Sequence, residues 1–135
     1  MTGNQRILVA EDDPEMLGAV AEALARQNYD VVRAANGAEL VEQLANHGPF
    51  DLIVADVSMP WMDGLKALSS MRAAGLATPV IVMTALSEQQ LPSQVRALSP
   101  AVLLRKPFEL DELEAAVAKL ISPGSATPPS LNTAH

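Results

Sequence analysis

The sequence has no cysteine, few aromatic residues and fewer basic than acidic ones. Cys is absent from the 135 residues, and Phe, Trp and Tyr make up 3% of them. The chain can therefore form no disulfide, no thiolate metal site and no cysteine nucleophile, which fits a reducing compartment. Lys and Arg number 9 against 16 Asp and Glu, for a formal charge of −7. We expect no direct binding of nucleic acid, because gripping a phosphate backbone requires a basic face.

Long apolar runs are missing as well. The N-terminus lacks the apolar core of a signal peptide, and no run approaches the length that spans a membrane. We therefore expect a cytoplasmic chain with no membrane partner. Hydrophobic residues nevertheless make up 49% of the sequence. A chain of this length and composition can bury one proper core, which indicates a single domain.

Short apolar runs alternate with segments of helical periodicity. The runs predict strands over residues 7–10, 30–34, 52–55, 80–83 and 102–104. The periodic segments predict helices that start near residues 14, 37, 63, 92 and 109. Pro92 and Pro100 frame the fourth helix, so we expect it to be short, over about 92–98, and to follow a long loose loop. This alternation predicts an α/β fold, a parallel sheet with right-handed crossovers and helices on both faces.

Polar side chains follow four of the five strands, where ligands collect in such sheets. They are Glu11, Asp12 and Asp13 after the first strand, Asp56 after the third, Thr84 after the fourth and Lys106 after the fifth. Carboxylates this close repel one another unless a proton or a cation lies among them. With no His or Cys nearby in sequence, an all-oxygen site suits Mg²⁺ or Mn²⁺. A carboxylate can then act as a nucleophile toward phosphorus, with hydroxyl and ammonium groups binding the phosphoryl oxygens.

Four segments carry a resemblance to a known family. ILVAEDDPEML, DLIVADVSMPWMDG, PVIVMTA and LLRKPFELDEL occur in this order. Over residues 5 to about 121 the chain resembles the receiver domain of bacterial two-component response regulators. The resemblance implies a single flavodoxin-like, doubly wound (βα)5 domain with strand order 2-1-3-4-5. It places a leader at residues 1–5, the receiver domain at 6–121 and a tail at 122–135, which its Pro- and Ser-rich composition predicts to be disordered.

The resemblance also implies roles for individual residues. Asp56 matches the phosphoacceptor, which takes a phosphoryl group from the phosphohistidine of a histidine kinase or phosphotransfer protein. Asp12 matches a direct Mg²⁺ ligand, Glu11 a ligand that acts through water, and Ser58 a ligand through its backbone carbonyl. Asp13 is expected to cap the first helix instead.

Two further positions match the switch of the family. Thr84 matches the hydroxyl that turns toward the phosphoryl group, and Lys106 matches the lysine that pairs with it and precedes a typically cis Pro107. The expected output is a changed affinity for a partner on the face of helix four, strand five and helix five. The expected protein is not an enzyme beyond Mg²⁺-dependent self-phosphorylation and slow autodephosphorylation.

The chain departs from the family pattern at three places. Leu103 stands where the family usually has Tyr or Phe, three residues before the lysine, so the usual rotation of an aromatic ring is unavailable. The Pro-interrupted stretch 89–100 replaces a regular fourth helix. Leu86 brings an apolar group near the expected line of water attack, which would slow loss of the phosphoryl group.

Other classes of protein share parts of this pattern. A phosphatase with an Asp nucleophile would need a second Asp where Ser58 stands. A flavodoxin would need a Ser-, Thr- or Gly-rich phosphate loop where this chain has carboxylates. A degenerate receiver that binds partners without phosphorylation is left open by Leu103. The initial Met and the short tail predict a stand-alone receiver, with an excised piece of a larger regulator as the alternative.

Overall fold

The protein is described here from a computed structural model that covers residues 4–56, 62–90, 93, 97, 98 and 101–121. Five parallel strands form one sheet in the order β2-β1-β3-β4-β5. The strands are β1 (Arg6–Ala10), β2 (Asp30–Ala34), β3 (Leu52–Asp56), β4 (Val80–Thr84) and β5 (Ala101–Arg105). The predicted strands and the predicted strand order are confirmed, with ends shifted by one residue at most.

Burial along the strands follows their position in the sheet. Every residue of β3 and β4 is buried, whereas the edge strands β2 and β5 are partly exposed. Helices cover both faces of a doubly wound parallel sheet, so its central strands are apolar on both sides. The last residues of β3 and β4 are the exceptions: Asp56 is 1% exposed and Thr84 is 0% exposed. Polar groups buried in this way require partners or a function.

Four α-helices are described, and each begins where the sequence predicts a start. They are α1 (Pro14–Ala25), α2 (Gly37–His47), α3 (Met62–Ala73) and α4 (Leu110–Leu120), the last being the predicted fifth helix. Asp13 caps α1, since its Oδ1 accepts a hydrogen bond of 3.0 Å from the Glu15 amide. Gly75 follows α3 with φ of 85°, the left-handed conformation that a helix C-terminus favours for glycine.

The two faces of the sheet carry separate apolar cores. Alternate strand residues point to opposite sides: Leu8, Ile53 and Val80 enter one core, and Ile7, Leu52 and Ile81 enter the other. The first core includes Leu40 of α2 and Leu68 of α3. The second core includes side chains of α1 and α4, namely Leu17, Val20, Leu24, Leu113 and Val117. This layering confirms the flavodoxin-like, doubly wound α/β fold.

The segment after β4 differs from the sequence prediction. A 3-10 turn at Glu88–Gln90 lies where we predicted a long loose loop. Two hydrogen bonds between Ser87 and Gln90 explain the turn: the Gln90 side-chain Oε1 accepts from the Ser87 amide at 2.8 Å, and the Gln90 backbone amide donates to the Ser87 carbonyl. Most of the helix predicted over 92–98 lies outside the described residues, as do Ser58, Pro92 and the tail from residue 122. Among the described helices, none combines the length and the apolarity that crossing a bilayer would require.

Candidate functional site: a carboxylate cluster at the carboxyl edge of the sheet

Three acidic side chains meet at the carboxyl edge of the central strands. Glu11 and Asp12 follow β1, and Asp56 ends the neighbouring strand β3. Each of the three offers a carboxylate oxygen, and these oxygens lie within 4.8 Å of one another. Glu11 and Asp56 are each 1% exposed, whereas Asp12 faces solvent. The sheet therefore gathers carboxylates from two strands, as the parallel topology predicts.

Lys106 reaches this cluster from the turn after β5. Its Nζ lies 2.9 Å from Oδ2 of Asp56 and 2.9 Å from Oε1 of Glu11. Its backbone amide donates a hydrogen bond of 2.7 Å to the Thr84 carbonyl, which ties the turn to the end of β4. The Lys106–Pro107 peptide bond is cis, as the resemblance implies. One ammonium group thus bridges two buried carboxylates.

Burial and charge set the titration of this cluster. The pKa of Glu11 is raised to about 7, chiefly by burial and also by the hydrogen bond and the charge of the neighbouring Asp56. Lys106 and the Asp13 amide act in the opposite direction. Burial alone would lower the pKa of Lys106, but hydrogen bonds and charges from Asp56 and Glu11 outweigh it, and the pKa is raised. The ammonium of Lys106 therefore stays charged beside Asp56 and Glu11.

Thr84 is buried at the end of β4, beside β3. Its Oγ1 accepts a hydrogen bond of 2.9 Å from the Leu86 amide. The side chains of Leu86 and Leu103 are partly buried and pack against the core on the side of α2 and α3. The backbone after Thr84 is therefore held by the same hydroxyl that the family resemblance implies for the switch.

The structure brings together most of the residues that the sequence singled out. Glu11, Asp12, Asp56, Thr84 and Lys106 all lie at the carboxyl edge, whereas Ser58 lies outside the described residues. Sequence reasoning missed the direct bond between Glu11 and Lys106. It assigned Glu11 to the cation and Lys106 to the phosphoryl group. Nothing in the spacing of residues 95 positions apart indicates this bond, because it depends on the reach of a long side chain across two intervening strands.

The chain belongs to the response regulator receiver domain family, whose model matches residues 7–118. The sporulation initiation phosphotransferase F of Bacillus subtilis is 30% identical over 87% of this chain and 94% of that protein. Regulatory protein AtoC of Escherichia coli is 35% identical over 90% of this chain, which spans 26% of AtoC. Such receiver domains are signalling domains of two-component systems and phosphorelays, not classical enzymes.

One solved structure of the same fold is a complex with Mg²⁺ and BeF. Response regulator TrrA of Thermotoga maritima, in complex with Mg²⁺ and BeF, superposes with a TM-score of 0.73 at 29% identity. The alignment covers 87% of this chain and 99% of that one. Receiver domains bind Mg²⁺ at an acidic cluster, and the group of Glu11, Asp12 and Asp56 supplies the hard oxygen donors that this ion prefers.

Proposed function

We propose that this chain is a phosphoacceptor switch of a two-component system, acting in the cytoplasm. In this proposal Asp56 takes a phosphoryl group from the phosphohistidine of a histidine kinase or phosphotransfer protein. The observation that carries the proposal is the bridge of Lys106 between Asp56 and Glu11, each at 2.9 Å. A buried carboxylate with a cation beside it and a second acid nearby is arranged to receive a phosphate group. We take residues 6–121 as the extent of the domain.

The transfer itself requires little chemistry from the protein. A carboxylate oxygen of Asp56 attacks phosphorus, the bond from phosphorus to the imidazole nitrogen breaks, and its electron pair stays on the imidazole. The product is an acyl phosphate on Asp56. The Lys106 ammonium is already beside the acceptor, so it can pair with the phosphoryl oxygens as they arrive. The Thr84 hydroxyl, on the adjacent strand, would bind one of those oxygens and exchange its contact with the Leu86 amide for it.

The same residues fit a divalent cation. We propose that Asp12 and Asp56 bind Mg²⁺ directly, with the Ser58 backbone carbonyl as a third ligand and Glu11 acting through water. Oxygen donors alone also suit Mn²⁺. When bound, the cation supplies positive charge to the acceptor and to the phosphoryl oxygens. Exposure of Asp12 and burial of Asp56 support this assignment, because one ligand opens toward solvent while the other sits beneath.

The output surface is proposed on β5 and its flanking segments. A cavity of about 510 Å³ lies there, lined by Ser87, Gln89, Leu103 and Arg105. Two of these lining residues adjoin site residues in sequence: Ser87 follows Leu86, whose amide donates to Thr84, and Arg105 precedes Lys106. A movement of Thr84 toward a phosphoryl group would release the Leu86 amide and reshape this cavity. A changed affinity for a downstream protein is the result.

A second candidate is a receiver that binds partners without phosphorylation. Leu103 favours it, because this side chain lines the cavity where the family usually has an aromatic ring. The two candidates differ in the chemistry of Asp56. Only the phosphoacceptor becomes labelled, and only its partner affinity depends on that label.

The test is incubation with Mg²⁺ and acetyl phosphate, followed by intact mass measurement. We expect one phosphoryl group per chain in the wild type and none in Asp56→Asn. Asp111→Asn, an exposed change on α4, is the matched control and should label normally. Labelling of the Asp56 variant would contradict the assignment of the acceptor. Absence of labelling in the wild type, with acetyl phosphate and with candidate kinases, would favour the second candidate.

A further inference from the structure

Glu11 and Asp12 are adjacent in sequence but differ in what their oxygens contact. Oε1 of Glu11 accepts from Lys106 at 2.9 Å, and Oε2 accepts from the Asp13 amide at 3.1 Å. Both oxygens of Glu11 thus have donors from the protein. Asp12 is exposed, and within the described part of the chain no hydrogen bond or ion pair engages its carboxylate. Among the described residues, the Asp12 carboxylate is therefore the one of this pair that accepts no hydrogen bond, whereas both carboxylate oxygens of Glu11 accept one.

Lys106 requires a second contact to be held in one place. A lysine side chain has a long flexible stem and a compact charge, so a single ion pair leaves many rotamers accessible. The backbone of Lys106 is fixed by its bond of 2.7 Å to the Thr84 carbonyl. The tip is fixed by two acceptors, Asp56 and Glu11, at equal distances of 2.9 Å. Asp56 itself becomes an acyl phosphate in the proposed reaction, so Glu11 is the acceptor that persists.

We propose that Glu11 is a positioning residue that acts through Lys106. It holds the ammonium beside the acceptor carboxylate, and the Asp13 amide holds Glu11 in turn. This role adds to the water-mediated contact with the cation and rests on the proposed function. It assigns the two neighbouring acids different tasks: Asp12 mainly binds the cation, and Glu11 mainly places the lysine.

A double-mutant cycle tests whether Glu11 works through Lys106. Glu11→Gln preserves the shape of the side chain and removes its charge. We expect it to lower the maximal rate of phosphoryl uptake from acetyl phosphate on the order of tenfold, the loss typical of one charge-assisted hydrogen bond. In a Lys106→Met background the same change should cost less than about twofold, since coupled residues give non-additive effects. Equal losses in both backgrounds would overturn the proposal.

A direct measurement follows the lysine rather than the reaction. The chain has three lysines, Lys66, Lys106 and Lys119, so the ammonium signals can be assigned by nitrogen-detected NMR. We expect a slowly exchanging Lys106 signal in the wild type and in Asp12→Asn, and its loss in Glu11→Gln. A retained Lys106 signal in Glu11→Gln would contradict the proposal, even if uptake of the phosphoryl group is slower.

Cation binding separates this inference from the proposed function. By calorimetry, Asp12→Asn should weaken Mg²⁺ binding by at least about tenfold, and Glu11→Gln should weaken it less, since Glu11 contacts the cation only through water. If Glu11→Gln weakens binding as much as Asp12→Asn does, Glu11 serves the cation and the positioning role is wrong. If Asp12→Asn has no effect, or if the wild type takes up no phosphoryl group, the proposed function itself fails. Thermal unfolding of each variant shows whether it is folded.

Discussion

The ammonium of Lys106 lies 2.9 Å from Oδ2 of Asp56, although the two residues are 50 positions apart in sequence. The proposed acceptor is thus paired with a cation before any phosphoryl group arrives. Lys106 can follow the negative charge as it moves from the carboxylate to the phosphoryl oxygens, since its stem is flexible. The contact therefore links the chemistry at β3 to the backbone after β5.

Removal of this ammonium should separate Mg²⁺ binding from the structural response of the backbone around β5 to beryllofluoride. We predict that Lys106→Ala still binds Mg²⁺, because the carboxylates of Asp12 and Asp56 remain. The variant should show much smaller backbone shifts around β5 when beryllofluoride is added, since no ammonium moves with the charge. Calorimetry measures the binding, and amide NMR measures the response.

Lys119→Ala is the matched control for this prediction, because it removes the same charge from an exposed position on α4. It should preserve both the binding and the shifts. A full set of β5 shifts in Lys106→Ala would show that the response does not pass through the ammonium.

The raised pKa of Glu11 predicts how stability depends on pH without a divalent cation. The carboxyl group titrates near 4.5 in the unfolded chain and at about 7 in the folded protein. A raised folded pKa adds stability that is fully present below pH 4.5 and is lost as pH rises through 7. We predict that Glu11→Gln gains on the order of 1–3 kcal/mol relative to the wild type between pH 5 and pH 8. Urea unfolding in a chelating buffer measures the difference.

Comparing the variant with the wild type at each pH cancels the contribution of the carboxyl groups that do not interact with Glu11. A stability difference that stays constant from pH 5 to pH 8 would show that the pKa of Glu11 is not raised. A difference of opposite sign would show that the pKa of Glu11 is depressed, as for an ordinary ion pair.

Leu86 is expected to lengthen the lifetime of the acyl phosphate. Its amide donates to Thr84, and its side chain is half-buried against the core near the site. The side-chain amide of an asparagine at this position can hold and orient a water molecule. Leu86→Asn should therefore lose the phosphoryl group several-fold faster. Leu86→Val, which keeps the site apolar, is the control and should resemble the wild type. Decay of labelled protein after removal of acetyl phosphate measures both, and an unchanged rate in Leu86→Asn would refute the hypothesis.

The sheet could be predicted from sequence because its signal is local and repeated. Val80 to Met83 is apolar throughout, and β4 is buried throughout. The cap of α1 was also a local signal, because Asp13 directly precedes Pro14 and its Oδ1 accepts from the Glu15 amide at 3.0 Å. The cap of α2 has a detail that composition does not reveal. Oδ1 of Asn36 accepts from the Glu39 amide at 2.8 Å, and the Glu39 side chain accepts at 2.7 Å from the Ala35 amide rather than from Asn36.

The site could be predicted only as a set of residues at one edge. Parallel strands bring Glu11, Asp56 and Thr84 together regardless of side-chain detail. The contact from Lys106 to Glu11 depends on rotamers and on the turn at Pro107, which periodicity does not report. The 3-10 turn after β4 depends on the two hydrogen bonds between Ser87 and Gln90, where composition indicated a loose loop.

Arg72 should contribute to stability through the fork of its guanidinium group. From α3, its Nε donates to the Leu98 carbonyl at 2.9 Å and its Nη1 donates to the Leu76 carbonyl at 3.1 Å. Leu98 is 1% exposed and belongs to the core beside β4, so these bonds tie the end of α3 to the segment before β5. A lysine carries its donors on a single nitrogen, so it cannot match the spacing of the Nε and Nη1 donors of Arg72. We predict that Arg72→Lys lowers the free energy of unfolding by about 1–2 kcal/mol, as measured in urea, whereas Arg26→Lys at the exposed end of α1 changes it by less than about 0.5 kcal/mol. Equal stability of the two variants would show that one ammonium group satisfies both carbonyls.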